Sequence, residues 1–287
     1  MIEYVANEEV VITKPNLSVI TIVKNGIPFV EQTIKSVLSQ TYSNLEYIII
    51  DGVSTDGTLD VIRSHESEIT KWVSEKDDGI SDAFNKGLSL AEGDYLMFLN
   101  ADDALANSTV LEEMAKKIVE NEFPTLIYGD CDVLDRESDH VLYRASIDFS
   151  TDGLRRGQML PHPGMLTSRV YFDKYGIFDL NFEIAMDYEW LLRGGLKERI
   201  VHESVIVTNV RDGGVSTKYK SKVVSEIIAA LKKNHYISSK WAELKMRSYF
   251  SLRAFAKEFL ERIGLYSVFS HARDSRASLK RSDQENK

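Results

Sequence analysis

The sequence predicts an α/β protein with a central, mostly parallel β-sheet flanked by helices, followed by a helical C-terminal extension. Over the first hundred residues, short apolar runs rich in β-branched residues alternate with amphipathic segments, the pattern of a parallel sheet covered by helices. With 287 residues and 43% hydrophobic content, the chain can bury a large core. In such sheets ligands bind at the carboxyl ends of the strands.

The first strand, LSVITIV, is followed by Asn25, Gly26 and Pro28, residues typical of a loop. In the next segment Val30 and Ile34 recur at helical spacing, which predicts a helix with one apolar face. The same alternation continues as far as Leu99. The predicted strands of this half span residues 17–23, 45–50, 71–74 and 95–99, and the predicted helices span residues 29–40, 58–65 and 80–91.

The second half carries weaker patterns. We predict a helix at 109–120, strands near 125–131, 140–147 and 200–208, a strand and a short helix within 159–179, and a loop that enters a helix around Asp187. Beyond residue 216 the chain turns basic, and apolar positions at three and four spacing predict helices at 219–233 and 239–263. The predicted organisation is a binding and catalytic domain at 1–216, a helical basic extension at 217–275 and a disordered tail at 276–287.

Charge is unevenly distributed along the chain. The net charge is −9, yet the residues from Ser216 onward hold 16 Lys or Arg against 7 Asp or Glu, which leaves an acidic body and a basic tail. The tail is either a solvated helical face or a surface for an anionic membrane, and closure of the core or a dimer contact are further alternatives. The oligomeric state stays open.

Export and membrane insertion have no signal in the sequence. The N-terminus is acidic and lacks an apolar core of signal-peptide length, and no run of about 18 uncharged apolar residues occurs. The single cysteine, Cys131, cannot form an internal disulfide and is most simply a small buried hydrophobe. We therefore predict a cytoplasmic protein that either is free or lies peripherally on the inner membrane.

Acidic residues follow three of the predicted strands. Asp51 follows the second strand, Asp77 and Asp78 the third, and Asp102 and Asp103 the fourth. An isolated Asp pair is usually a turn and a helix cap, but here three loops converge on the same sheet edge. Clustered carboxylates need a cation or hydrogen-bond donors to offset their repulsion, and oxygen ligands suit Mg²⁺ or Mn²⁺. The sequence thus predicts a divalent-cation site that is completed by phosphate oxygens of a ligand.

Several stretches in fixed order resemble a known family. LSVITIVKNG, SVLSQTYSNLEYIIIDGVSTDGT, DDGISDAFNKGLSLAEGDYLMFLNADD, FEIAMDYEWLLRG and GGVS are similar to the bacterial inverting glycosyltransferases of family two. The resemblance spans about residues 16–216. It implies the Rossmann-like A-type nucleotide-sugar fold and transfer of one sugar from a nucleotide-diphosphate donor.

The resemblance also implies residues that contact the nucleotide. Thr21 on the first strand is expected near the base, and Asp51 is expected to face it. The family more often has a second acid after that position, whereas this chain has Gly52. Asp77 or Asp78 is therefore expected to supply the missing acceptor.

Metal binding and proton abstraction are assigned by the same resemblance. Asp102 and Asp103 match the metal-binding acidic element, with Asp103 ranked above Asp102 as the ligand and Asp102 nearer the ribose. Asp187 matches the catalytic base, which makes the acceptor hydroxyl nucleophilic. The alternative for Asp187 is a helix cap, and both roles can coexist.

The remaining candidates carry open alternatives. The resemblance places His162, which lies between two prolines, near the acceptor or the diphosphate, and the alternative is a buried structural histidine. Asn85 and Lys86 are expected to meet donor phosphate or ribose, although Lys86 is equally a surface residue. Arg155 and Arg156 are candidate diphosphate partners, with a solvated basic turn favoured over that role. The last candidate, Trp190, is expected in the core.

The predicted function is metal-dependent, inverting transfer of a sugar, with UDP the expected nucleotide and Mn²⁺ or Mg²⁺ the cofactor. The expected acceptor is a saccharide or a lipid-linked saccharide in surface polysaccharide or lipid-linked oligosaccharide assembly, and no nucleic-acid partner is expected. TIVKNGIPF lacks the glycine-rich signature of nucleotidyltransferases, and DGVSTDG is not a dinucleotide-binding fingerprint. A non-catalytic nucleotide- or carbohydrate-binding subunit is the alternative.

Overall fold

The computed structural model describes residues 14–195 and 197–262, with side chains described as far as residue 256. Within these residues nine strands form one sheet, in the order β3-β2-β1-β4-β8-β6-β9-β5, with β7 on the side of β6. The α/β class predicted from the sequence is confirmed. Residues 1–13 and the predicted tail at 276–287 lie outside the described residues, as do residues 263–275 of the predicted basic extension.

The strands are β1 (Leu17–Val23), β2 (Leu45–Asp51), β3 (Lys71–Ser74), β4 (Tyr95–Asn100), β5 (Ala104–Leu105), β6 (Leu126–Leu134), β7 (Val141–Ala145), β8 (Met165–Ser168) and β9 (Ile200–Arg211). The helices are α1 (Val30–Leu38), α2 (Thr58–Ser64), α3 (Ile80–Leu90), α4 (Val110–Glu120), α5 (Thr151–Arg155), α6 (Arg169–Tyr175), α7 (Met186–Gly194), α8 (Val215–Lys218), α9 (Lys220–Lys233) and α10 (Lys240–Arg262). A 3-10 turn at His162–Gly164 precedes β8.

The first four strands form the parallel half of the sheet. The apolar, β-branched runs of β1, β2 and β4 are largely buried on both faces, as expected for strands covered by helices, whereas β3 at the edge is partly buried. The register places Val23 opposite Asp51, and Ile22 opposite Asn100. Asp51 in turn pairs with Ser74 at the end of β3. The strand ends are therefore aligned, and the loops that carry the acidic residues leave the sheet along one edge.

The other half of the sheet is mixed. Strand β8 runs antiparallel to both β4 and β6, whereas β6 and β9 are parallel. The sequence predicts a strand near 200–208, and β9 extends to Arg211 because its last residues pair with β6 and with the two-residue β5. Neither that extension nor β5 has a periodic signal of its own, since β5 is too short to show alternation.

Two hydrophobic clusters cover the two faces of the sheet, and α9 belongs to one of them. Ile227, Ile228 and Leu231 on α9 are buried in the cluster that also contains Phe84 of α3 and Trp190 of α7. The predicted C-terminal helices are present, but α9 packs into the core of the preceding region. The proposed boundary at residue 216 therefore does not coincide with a gap in packing.

Candidate active site

Asp51 lies at the end of β2 and is fully buried. Its Oδ2 accepts hydrogen bonds from the Ser54 backbone N–H at 3.1 Å and from the Ser74 hydroxyl at 2.7 Å. Its Oδ1 is buried without a hydrogen-bond partner among the described residues. Because buried polar atoms in native proteins nearly always find partners, this oxygen is a candidate ligand contact.

Gly52 and Asp77 share one small space beside Asp51. A Cβ atom at position 52 would collide with the Asp77 carboxylate, so the glycine leaves room for that side chain. Asp77 is partly buried and accepts a hydrogen bond from the Gly79 backbone N–H at 3.2 Å, whereas Asp78 is exposed. Of the two acids expected to replace a missing acceptor, Asp77 is therefore the one beside the site.

Asp102 and Asp103 follow β4 but face different surroundings. The Asp103 side chain is buried, and its oxygens accept hydrogen bonds from Asn100 Nδ2 at 2.8 Å and from the Arg211 backbone N–H at 3.1 Å. Burial, reinforced by the charge of Asp102, raises the pKa of Asp103 to about 7. The side chain of Asp102 is 30% exposed. Asp102 is therefore the more accessible of the two carboxylates, whereas Asp103, which the resemblance ranks first as the ligand, is buried.

Asp102 is paired with an arginine that the sequence did not single out. Arg136 Nη1 lies 3.0 Å from Asp102 Oδ2, and the Arg136 guanidinium lies 4.9 Å from the centre of the Phe29 ring. Among the described residues no three His, Cys, Asp or Glu side chains form a complete metal cage. The accessible carboxylate of Asp102 nevertheless fits a divalent cation that is held by one or two carboxylates and completes its shell with ligand phosphates.

Asp187 is the second residue of α7. Its Oδ1 accepts a hydrogen bond from the Tyr188 backbone N–H at 2.7 Å, and its Oδ2 lies 3.5 Å from His162 Nδ1. The side chain is 16% exposed. Burial raises the pKa of Asp187, while the nearby His162 acts in the opposite direction. A carboxylate with a raised pKa binds a proton more strongly, which suits a general base.

His162 is presented by the 3-10 turn between two prolines. Burial lowers its pKa, although the charge of Asp187 acts in the opposite direction. Its Nε2 atom is buried without a hydrogen-bond partner among the described residues. Since neutral imidazole is favoured there, the ring can orient Asp187 without neutralising its charge.

An apolar cavity joins His162 and Asp187 to the sheet. Aromatic side chains line it, among them Phe84 from α3, Phe98 from β4 and Trp190 from α7. Phe98 lies two residues before the end of β4, so the cavity is close to the strand end that leads to the acidic pair. Asp187 lines the same cavity as these rings, and burial is the largest cause of its raised pKa.

Three predicted binding residues are engaged elsewhere. Thr21 is fully buried, and its hydroxyl accepts a hydrogen bond from Tyr47 inside the core, so a base contact by this side chain does not fit the structure. Asn85 joins α3 to Phe178 by donating to its carbonyl and accepting from its N–H, both at 2.9 Å.

Lys86 is likewise committed to local contacts. Its Nζ donates to the carbonyl of Lys76 at 2.6 Å and lies within 3.2 Å of Glu75 and Asp82. These bonds hold the loop before α3 instead of leaving the ammonium group free for a donor phosphate. The predicted phosphate or ribose contact of Lys86 therefore does not fit the geometry.

The remaining expectations concern residues away from the sheet edge that carries Asp51, Asp77 and Asp102. Arg155 and Arg156 are exposed, and Arg156 pairs with Asp152 at 2.8 Å, which matches the solvated basic turn. Trp190 is 2% exposed and lies in the core as predicted. Cys131 is buried as predicted, and burial raises its pKa to about 12.

Two functional candidates were missed by sequence reasoning. Arg136 stands in a polar loop after β6, and nothing in that loop's composition distinguishes it. Glu226 lies in the apolar stretch of α9 and is 8% exposed. An acid among the apolar positions of a predicted helix was the available signal, because a buried carboxylate needs partners.

Comparison with known proteins identifies the class of enzyme. The model of the family named Glycosyl transferase family 2 matches residues 18–172. An uncharacterized glycosyltransferase of Mycobacterium tuberculosis is 33% identical over 184 residues, which cover 63% of this chain and 70% of the relative. A PGL/p-HBAD biosynthesis glycosyltransferase of Mycobacterium bovis is 29% identical over 216 residues, covering 72% and 82% of the two chains.

Solved structures share the fold. S. aureus TarS 1–349 in complex with UDP-GlcNAc has a TM-score of 0.61 at 16% identity and covers 84% of this chain and 73% of its own. The mannosyltransferase PcManGT from Pyrobaculum calidifontis, in complex with GDP-Man and Mn²⁺, has a TM-score of 0.59 at 18% identity, covering 93% and 81%. These likenesses confirm the predicted A-type architecture.

The chain belongs to glycosyl transferase family 2. It is a glycosyltransferase, and the alternative of a non-catalytic binding subunit is not supported. In the part of the chain that the structure describes, no helix is both long and apolar enough to cross a membrane.

Proposed function

We propose that the protein transfers one sugar, with inversion, from a nucleotide-diphosphate donor to an acceptor hydroxyl in a reaction that depends on a divalent cation. The observation that carries this proposal is the pairing of Asp187 with His162 in a cavity beside β4, the strand that leads to Asp102. One acid is thus placed to accept a proton, and another is placed to hold a cation.

The donor site is built around Asp51 and Asp77. The unpartnered Asp51 oxygen can accept an N–H from a nucleotide base, and Asp77 lies in the space that Gly52 leaves free. A UDP-sugar is the proposed donor, supported by the UDP-GlcNAc complex of TarS, whose fold is similar.

Asp102 is the proposed principal ligand of a Mn²⁺ or Mg²⁺ ion. When bound, the ion supplies charge stabilisation to the departing diphosphate. Arg136 must give up its pairing with Asp102 or share it with the ion. The buried Asp103 carboxylate stabilises the loop after β4 by accepting hydrogen bonds from Asn100 and the Arg211 backbone. The Mn²⁺ in the complex of PcManGT, whose fold is similar, supports dependence on a divalent cation.

Asp187 is the proposed general base. Its carboxylate takes the proton of the acceptor hydroxyl, and the resulting oxygen attacks the anomeric carbon opposite the leaving diphosphate. A single displacement inverts that carbon. His162 keeps the carboxylate oriented, and the aromatic wall of the cavity keeps water from competing with the acceptor.

The proposed acceptor is a saccharide or a lipid-linked saccharide in surface polysaccharide or lipid-linked oligosaccharide assembly, on the cytoplasmic face of the inner membrane. A relative named as a PGL/p-HBAD biosynthesis glycosyltransferase supports a biosynthetic role. The exposed face of α10 supports a peripheral membrane contact. There Trp241 is 82% exposed, and Leu244, Leu252 and Phe255 are also exposed.

Lysines accompany this apolar face. Lys240 and Lys245 are exposed on the same helix, so the face can bind anionic lipid through both burial and charge. On its inner side, α10 places Phe250 against Gly157 in the loop after α5. A membrane-bound α10 would therefore keep that loop, which follows Arg155, near the lipid surface.

Liposome flotation tests the membrane contact. We expect the full chain to float with anionic vesicles, and a variant with Trp241, Leu252 and Phe255 replaced by serine to stay soluble. A matched control replaces the exposed Val170, Ile177 and Leu180 by serine. Equal flotation of both variants, or no flotation of the native chain, would rule out the α10 surface.

Release of nucleoside diphosphate tests the enzymatic proposal. We expect UDP release from a UDP-sugar with Mn²⁺, abolished by a chelator, and thermal stabilisation by the same nucleotide only when the metal is present. A chain that transfers sugar equally well with excess chelator would overturn the metal dependence. A screen of other nucleotide sugars would identify the base.

A further inference from the structure

We propose that Glu226 on α9 is a positioning residue for Asp187, because its carboxylate holds the start of the helix that carries Asp187. The proposal rests on the role of Asp187 as the general base. It extends the site to a helix that lies beyond the family match at residues 18–172.

The contacts of Glu226 are directed at three successive backbone N–H groups. Its Oε2 accepts from Ile184 at 2.9 Å and from Ala185 at 2.8 Å, and its Oε1 accepts from Glu183 at 3.3 Å. Ala185 is the N-cap of α7, and Asp187 is the second residue of that helix. The carboxylate therefore holds the chain two residues before the base.

Helix α7 has no local cap of its own. N-cap positions favour Ser, Thr, Asp or Asn, whose side chains bond the free N–H groups of the first turn. Ala185 offers no such group, and no side-chain cap hydrogen bond is formed there. Glu226, more than forty residues later in the chain, supplies the negative charge that a helix N-terminus favours.

A second set of contacts ties α7 to the same partner helix. Glu189 is fully buried and accepts from Lys233 Nζ at 2.9 Å and from Asn234 Nδ2 at 3.2 Å. Lys233 ends α9 and Asn234 is its C-cap. Glu226 and Lys233 lie two turns apart on α9. Helix α9 therefore contacts α7 at two separate points, at its start and at Glu189, and these contacts restrict the rotation of α7.

Glu226 also acts on the base through its charge. Two charged or titratable side chains influence Asp187 most directly from neighbouring elements: His162 of the 3-10 turn, which lowers the pKa of Asp187, and Glu226, which raises it. Burial is the larger cause. Replacing Glu226 by a neutral residue therefore moves the acid limb of the rate profile to lower pH, and Glu226→Asp, which keeps the charge, should move it less.

The test compares Glu226→Gln and Glu226→Asp with the native chain. The matched control is Glu243→Gln, which removes a carboxylate on α10 that binds Lys232 of α9 and Arg247. For each protein the nucleotide dissociation constant, kcat, KM and the pH profile of transfer are measured. Hydrogen exchange at residues 183–187 reports the order of the start of α7.

We expect Glu226→Gln to bind nucleotide with unchanged affinity and to lose about 10- to 100-fold in kcat, because a misplacement of about 1 Å can cost about 10²-fold. Its acid limb should move to lower pH, and exchange at residues 183–187 should become faster. Glu226→Asp should retain more activity than Glu226→Gln, while Glu243→Gln should resemble the native chain.

The Asp187→Asn background separates the two proposals. If Glu226 acts through Asp187, Glu226→Gln should cause no further loss there. An equal further loss in that background, or an unchanged kcat and acid limb in Glu226→Gln alone, would overturn the positioning role. If Asp187→Asn itself transfers sugar at the native rate, the base assignment fails instead.

Discussion

The acidic edge of the parallel half and the helix that carries Asp187 are positioned by different kinds of contact. Asp51 and Asp102 stand at or just after strand ends whose place is determined by backbone pairing between β1, β2 and β4. Asp187 depends on side chains from α9 and from the 3-10 turn.

That difference predicts different sensitivities. A sheet edge is held by many equivalent backbone hydrogen bonds, so single distant substitutions should disturb the donor site little. The start of α7 is held by a few specific carboxylate contacts, and each is hard to replace because an unsatisfied buried donor is costly. Substitutions in the C-terminal helices should therefore lower the rate of turnover while leaving the affinity for the donor nearly unchanged.

The largest effect is expected for Asp187→Asn. Loss of the base should lower kcat about 10²- to 10⁴-fold while nucleotide binding is retained. In the native enzyme the acid limb should lie above the ordinary aspartate range, because burial raises the pKa of Asp187 and protonation removes the base. Rates measured across pH check both points. Glu183→Gln, an exposed acid before α7, is the control, and a native-like rate in Asp187→Asn would refute the assignment.

Asp102→Asn should have the next largest effect. We expect Mn²⁺ affinity to fall by more than about tenfold, since even residues behind metal ligands commonly change affinity by that factor. Titration calorimetry with Mn²⁺ measures it, and Asp60→Asn, an exposed acid on α2, serves as the control. Unchanged affinity in Asp102→Asn would place the ion elsewhere.

The same Mn²⁺ titration also reports whether the Asp103 carboxyl is protonated. Its pKa of about 7 keeps a proton on the carboxyl below neutral pH, partly because Asp102 is negative beside it. A cation on Asp102 offsets that repulsion and lowers the pKa of Asp103. We expect proton release on Mn²⁺ binding at pH 6 and little release at pH 8, measured in buffers of different ionisation enthalpy. Release that is independent of pH would contradict this coupling.

Asn85→Ala should affect stability more than donor binding. It removes two hydrogen bonds to the Phe178 backbone, and leaving those groups unpaired costs about 1–3 kcal/mol in the free energy of unfolding. Denaturant unfolding and a nucleotide titration measure the two quantities, with Ser89→Ala on the exposed side of α3 as control. A large loss of donor affinity without loss of stability would restore the predicted contact with the donor.

The smallest effect is expected for Gly52→Ala. The added methyl group displaces the Asp77 carboxylate, and loss of one hydrogen bond of about 1 kcal/mol would weaken donor binding about fivefold. Gly214→Ala, where a Cβ meets open space, is the control. Native-like donor affinity in Gly52→Ala would exclude Asp77 from the site.

Much of the donor edge could be predicted from the sequence because strand ends are local features. Asp51 ends, and Asp102 closely follows, an apolar run whose residues predict a strand from the local sequence alone. The contacts that Thr21 and Asn85 make with Tyr47 and Phe178 were not predictable, because these partners lie elsewhere in the chain and a motif does not reveal which way a side chain points.

The surroundings of Asp187 could be predicted only in part. Its sequence motif was recognisable, and its position early in a helix followed from local pattern. The contact with Glu226 was not predictable, since it joins segments 41 residues apart through backbone N–H groups. Likewise, the inward direction of Asp103 depends on Arg211, which is 108 residues away.

The contacts between α9 and α7 have a consequence for synthesis of the protein. A growing chain that has left the ribosome only as far as residue 216 already contains every acid of the site, yet it lacks the segment that orders the base. Turnover would begin only once the following helix has emerged and docked, so incomplete chains would be inert.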